Sequence, residues 1–116
     1  MQDYLKIGSF VTVTVDRPLG SFHPQYPKLY YPINYGFIEG TLAPDGEEED
    51  AYILGVKIPV EKFSGVIIAK IIRFDDNEHK WVVAPEGTSF SKYDIQRITY
   101  FQEQYFVSKI MMNEND

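Results

Sequence analysis

Apolar and polar residues alternate from Phe10 to Val15 as FVTVTV, mostly β-branched, which predicts a half-buried strand. Asp16 to Pro27 breaks the alternation with three prolines and a glycine and predicts turn and loop. Short apolar stretches follow at Tyr35–Ile38 and Ala51–Val56, and a longer one, rich in Ile and Val, at Val66–Phe74. The polar turn Asp75-Asp76-Asn77-Glu78 then leads into Lys80–Ala84, so this pair predicts a β-hairpin with a charged tip. After Pro85 and Gly87 the period changes. Ile95, Ile98, Phe101 or Gln102, and Tyr105 fall at helical spacing between Ser91 and about Ser108. Ser91 with Asp94 three residues on is a capping box with Asp in the Glu position. Met111 to Asp116 is expected to fray. Five or so strands followed by one helix predict a mainly β fold: a small barrel with a helix packed on it.

Composition narrows the classes. A chain of 116 residues predicts a single domain, 1–116, with a small core. Apolar content of 44% excludes a disordered chain. The absence of cysteine excludes disulfides and thiolate metal sites. No apolar run suits a signal peptide or a membrane span, so a cytoplasmic protein without membrane partners is expected. The net charge of −6 argues against nucleic acid as a partner, which would require a basic face. A small anion remains compatible if a metal ion mediates the contact.

Charge clusters in one place above all. Asp45, Glu47, Glu48, Glu49 and Asp50 put five carboxylates in six positions. Such a run is usually a solvated turn, but carboxylate oxygens are also what a hard cation such as Mg²⁺ prefers. A second acidic group, Asp75, Asp76 and Glu78, lies at the hairpin tip, with Lys80 in the strand that follows. His23 and His79 each stand alone and suit such a metal poorly.

The stretch YYPINYGFIEGTLAPDGEEED, Tyr30 to Asp50, resembles the family I soluble inorganic pyrophosphatases. Their P-x-N-Y-G turn leads into a loop of the form D-(small)-D-(P/E)-(apolar)-D-(apolar). Here the loop reads DGEEEDA, with Glu47 at an Asp position and Glu49 at an apolar one. The hairpin RFDDNEHKW is similar to the family's second acidic segment, M-x-D-E-x(n)-D-x-K. The resemblance implies a closed, five-stranded, OB-like β-barrel with a C-terminal helix. It implies hydrolysis of pyrophosphate, or a related phosphoanhydride, with Mg²⁺ as cofactor and Mn²⁺ as an alternative. The metal ligands it implies are Asp45, Asp50, Asp75 (or Asp76) and Glu78. Lys80, Tyr35 and Tyr105 would bind substrate. Glu47 would accept the proton of the attacking water, though it is one methylene longer than Asp, and errors near 1 Å can cost ~10²-fold in rate. Glu49 is expected to face solvent, since Glu is rarely buried unpaired.

The chain departs from the family's early I-P-x-G-S-x-x-K-Y-E stretch. It keeps Pro18, Gly20 and Ser21, but Pro24 replaces the phosphate-binding lysine and Tyr26 the glutamate. A hairpin that the family inserts next, ending in a D-R pair, is missing, so either Arg17 or Lys28 would have to supply that cation. Phe106 stands where the family has a lysine after its tyrosine. An alternative is therefore a catalytically impaired binding or regulatory module on the same fold. A homo-oligomer is compatible with either reading.

Overall fold

The computed structural model describes residues 5–113. Six strands and one helix follow in the order β1 (Phe10–Arg17), β2 (Asn34–Ile38), β3 (Glu49–Ile53), β4 (Lys62–Arg73), β5 (His79–Ala84), α1 (Lys92–Glu103) and β6 (Ser108–Met111). Strands pair in the order β1-β2-β3-β5-β4-β6, and β4 also pairs with β1. Five strands thus close into a barrel. Only β3 and β5 run parallel; the other pairs are antiparallel.

Closure depends on the length of β4. Its first residues, Lys62–Val66, pair with β1, and its last, Lys70–Arg73, pair with β6. The strands cross tightly at Gly36, where an added Cβ would lie 1.9 Å from the Thr14 carbonyl oxygen. Only glycine fits so close an approach of two backbones.

Side-chain alternation splits the apolar residues into two cores. Val11, Val13, Ile38, Ala51, Ile53, Ile67, Trp81 and Val83 fill the barrel. Tyr52, Leu54, Ile71, Val82 and Ala84 point outward and pack with Ile95 of α1. Ile67 and Ile71 have the same parity yet lie in different cores. A register shift between Ile67 and Ala69 explains this, because one extra residue turns the rest of β4 over.

The helix begins as its sequence predicts. Asp94 N–H donates to Ser91 Oγ at 3.0 Å, and Ser91 N–H donates to Asp94 Oδ2 at 3.1 Å. It ends at Glu103, well before the expected Ser108. The next residues are drawn onto β4, where Phe74 N–H donates to the Val107 carbonyl at 2.8 Å. Ser108–Met111 then forms β6, so the expected fraying is wrong at Met111; residues 114–116 lie outside the described part. The acidic run is also not all loop. Glu49 and Asp50 open β3, opposite Ile38 and Phe37 of β2. Among the described residues no helix is long and apolar enough to cross a membrane.

Candidate active site

The site lies on the outer face of the barrel, where α1 stops covering it. Asp50 shares its face of β3 with Tyr52, Lys80 its face of β5 with Val82, and Arg73 its face of β4 with Ile71. Those three neighbours pack under the helix. Beyond the helix the same face opens into a cavity of about 670 Å³, lined in part by Tyr35, Asp50, Arg73, Lys80 and Tyr105.

The parallel pairing of β3 with β5 sets Asp50 opposite Lys80. Lys80 Nζ donates to Asp50 Oδ2 at 2.6 Å and to Glu78 Oε1 at 2.8 Å, and the residue is only 3% exposed. Burial works against its charge, but the Tyr35 oxygen and the Asp50 and Glu78 carboxylates outweigh it and raise its pKa. Burial likewise pushes the Tyr35 phenol well above the usual range, with Lys80 opposing, so Tyr35 is a hydrogen-bond donor at neutral pH.

A second pocket, about 300 Å³, lies on the other side of Asp50. Asp45, Glu48, Glu49, Asp50, Asp76 and Glu78 line it. Asp45 Oδ1 accepts Glu47 N–H at 3.0 Å, and Asp76 Oδ1 accepts Glu78 N–H at 3.0 Å, so each acid also shapes its own turn. No three Asp, Glu or His side chains are pre-assembled around a metal position among the described residues. The acids that line it, with Asn77 and His79 beside them, nevertheless fit a hard divalent cation in kind, since their donors are carboxylate oxygens. Asp45, Asp50 and Glu78 each commit one oxygen to the bonds above and keep the other.

The residues singled out in the sequence divide three ways. Asp45, Asp50 and Glu78 meet in the acidic pocket; Tyr35, Lys80 and Tyr105 meet, with Asp50, in the larger cavity. Glu47 is exposed and lines neither. Asp75 turns away altogether. Both of its oxygens accept Val107 N–H at 3.2 Å, which fastens the helix exit to the hairpin, and Asp76 takes the place in the pocket. Glu49 does not face open solvent. It is half-buried and accepts the Trp81 indole N–H at 3.0 Å, because its parity points it toward the barrel mouth.

Several lining residues were not expected in the site from sequence, Asp16, Tyr31, Arg73 and Gln102 among them. Arg73 is 5% exposed; its Nε and Nη2 donate to Glu103 at 3.1 and 2.7 Å, and its Nη1 to Asp76 at 3.2 Å. The Phe106 ring covers the guanidinium at 3.6 Å. The Tyr52 hydroxyl also donates to Glu103 and accepts from Gln102 Nε2 at 2.8 Å. Gln102 Oε1 accepts the Tyr31 hydroxyl at 2.7 Å. This chain of bonds ties the end of α1 to β3, β4 and the tyrosine turn. A lone Arg in the apolar run Val66–Phe74 was the available signal, because a buried Arg needs a partner. Asp16 carries a raised pKa, chiefly through burial, with Asp50 adding to the shift and Arg17 opposing it.

This arrangement has relatives. The family model described as inorganic pyrophosphatase matches residues 11–110. An inorganic pyrophosphatase of Campylobacter jejuni is 30% identical over 87 residues, covering 71% of this chain and 46% of the relative. The chain therefore spans about half the length of the curated relative it matches. Among solved structures, the inorganic pyrophosphatase of Ehrlichia chaffeensis superposes with a TM-score of 0.66 at 19% identity, covering 92% of this chain and 90% of that one. That of Neisseria gonorrhoeae gives 0.65 at 22% identity, over 84% and 74%. The enzyme of Helicobacter pylori gives 0.65 at 18% identity, over 97% and 91%. At such identities the superpositions speak for the barrel and helix alone. The match along nearly the whole described chain goes further, and with it this protein belongs to the inorganic pyrophosphatase family.

Proposed function

We propose that this chain hydrolyses pyrophosphate, or a closely related phosphoanhydride, with a divalent cation held by Asp45, Asp50 and Glu78. One observation carries the proposal: Asp50 lines both a cavity with cationic and phenolic walls and a pocket walled by carboxylates. A phosphoanhydride needs both surfaces, donors for its oxygens and acids for its counter-ion. Mg²⁺ or Mn²⁺ in the acidic pocket would neutralise phosphoryl charge and acidify water. Lys80 and Tyr35 present N–H and O–H donors to phosphoryl oxygens, and the buried ammonium offers its charge in a poorly solvated setting. Tyr105, 68% exposed, adds a phenol at the mouth. Glu47 keeps the proton-accepting role on the condition that its loop closes over the acidic pocket, since its carboxylate starts outside it. Phosphate release from pyrophosphate, with and without Mg²⁺ or Mn²⁺, tests the proposal. Glu47→Gln should abolish turnover and leave metal binding nearly intact.

A second reading has its own observation. The Lys80 ammonium already bridges Asp50 and Glu78, and these are two of the acids a metal would need. A chain in which that bridge persists binds a phosphorylated anion without hydrolysing it. Retained pyrophosphate binding with no phosphate release would select this binding-module reading.

A further inference from the structure

Four cationic side chains, Arg17, Lys28, Arg73 and Lys80, line the cavity against two carboxylates, Asp16 and Asp50. They are not equivalent. Lys80 is held by Asp50 and Glu78, and Arg73 by Glu103 and Asp76. Arg17 is held more loosely, with the Tyr31 hydroxyl close enough for its phenol to feel the guanidinium. Its Nη1 donates to the carbonyl of its neighbour Asp16 at 3.2 Å, and the Asp16 carboxylate lies 3.7 Å away. Its Nε–H is buried and has no acceptor among the described residues. A buried donor left unpaired costs stability and asks for an explanation, and a ligand acceptor supplies one.

Backbone geometry aims this residue. Consecutive strand residues point to opposite faces, so Asp16 and Arg17 should not both reach one cavity. They do, because the β1–β2 register slips between Val15 and Arg17: Val15 faces Gly36 and Arg17 faces Tyr35. The slip inserts one extra residue and re-aims the side chains at the strand end. Arg17 is the last residue of β1, held at Tyr35, whose phenol lines the same cavity. In the early stretch that resembles I-P-x-G-S, Arg17 stands where the family motif has isoleucine. The cavity reaches from Lys80 to Tyr26, Lys28 and Leu29, the region where the chain lacks a hairpin.

We propose that Arg17 is the guanidinium that binds the substrate's phosphoryl group in this cavity, with its Nε–H and a terminal N–H forming a two-pronged bond to the anion. A guanidinium presents paired donors in a fixed fork that matches two phosphoryl oxygens, whereas lysine offers a single point of charge. Arg73 then serves to position the helix end and Phe106, while Lys80, tied to Asp50 and Glu78 at the boundary of the two pockets, adds its remaining N–H to the phosphoryl oxygens. The assignment of Arg17 rests on the cavity being the anion site described above, and it does not depend on hydrolysis.

Methylenediphosphonate, a pyrophosphate analogue with a carbon bridge that water does not cleave, separates the two. Its affinity would be measured by calorimetry in millimolar Mg²⁺ for wild type, Arg17→Gln and Arg17→Lys. Arg17→Gln should bind about ten- to a hundredfold more weakly, the loss expected for charged hydrogen bonds. Its unliganded melting temperature should not fall by more than about 2 °C, because Arg17 gives up only the bond to its neighbour's carbonyl and a loose contact with the Asp16 carboxylate. Arg17→Lys should recover only part of the loss. Wild-type affinity in Arg17→Gln or in Arg17→Lys, or no binding by wild type, would overturn the assignment. If wild type binds the analogue through Arg17 but releases no phosphate from pyrophosphate, the inference stands and the hydrolytic reading falls. If wild type hydrolyses pyrophosphate and Arg17→Gln keeps both kcat and KM, the reverse holds.

Discussion

Glu103→Ala should be among the most damaging single changes outside the barrel core. The Glu103 carboxylate accepts two bonds from Arg73 and one from Tyr52, and the side chain is 8% exposed. Removing one partner of a buried ion pair typically costs ~3–5 kcal/mol, because the other charge is left unpaired. Asp76 stays with Arg73 at 3.2 Å, but it is 32% exposed and compensates only in part. The expected loss is therefore at the lower end, about 3 kcal/mol, which for a chain of this size is a drop of ~12 °C in melting temperature. Removing both charges, with Arg73→Met and Glu103→Leu, should cost less than Glu103→Ala, since apolar replacements of a buried pair are often near neutral. Some cost remains because the Tyr52 hydroxyl loses its acceptor, ~1 kcal/mol or more. Urea unfolding at pH 7 of wild type, Glu103→Ala, Arg73→Met, Glu103→Leu and the Arg73→Met/Glu103→Leu double variant measures the cost and the coupling. A Glu103→Ala loss under ~1 kcal/mol, or strict additivity in the double variant, would refute the reasoning about the buried pair.

Three further outcomes follow from the structure. Millimolar Mg²⁺ or Mn²⁺ should raise the melting temperature, the equivalent of ~2.7 kcal/mol at 100 times Kd, and Asp50→Asn should remove most of the shift; an equal shift in both would leave the acidic run as a solvated turn. Gly36→Ala forces a Cβ to 1.9 Å from the Thr14 carbonyl, so its urea midpoint should fall by the equivalent of ~3 kcal/mol, and an unchanged midpoint would contradict the close crossing. Lys80, Tyr35 and Tyr52 all have raised pKa values in the folded chain. Above pH 10 the unfolded chain sheds these protons before the folded one does, so stability should decline as pH rises through that window. Lys80→Met should flatten the decline, and an equally steep pH curve in that variant would show that Lys80 does not carry its share.

The strands that were legible in sequence are those whose pattern is decided by one partner. FVTVTV alternates because one of its faces fills the barrel, and the Ser91–Asp94 box closes locally, so neither needed the rest of the fold to be read. β6 was missed because its four residues, Ser108–Met111, owe their conformation to the end of β4 and carry no period of their own. The site divides in the same way. That the two acidic segments lie together could be read from their motif, since the β3–β5 pairing sets Asp50 opposite Lys80. Asp75 could not be told from Asp76, because what sets these adjacent turn acids apart is the Val107 N–H that Asp75 accepts, a contact made 32 residues away in the chain. Arg73 depends on a buried partner 30 residues away, and the choice of Arg17 over Lys28 depends on a strand bulge; neither is set by a motif.

The central claim is that the two pockets joined at Asp50 act together on a phosphoanhydride. Phosphate release from pyrophosphate by folded wild type and by Asp50→Asn, each with Mg²⁺, with Mn²⁺ and with chelator, tests it most directly. Release by wild type should require the metal and collapse in Asp50→Asn. Absence of release by wild type under both metals, or undiminished release by Asp50→Asn, would contradict it.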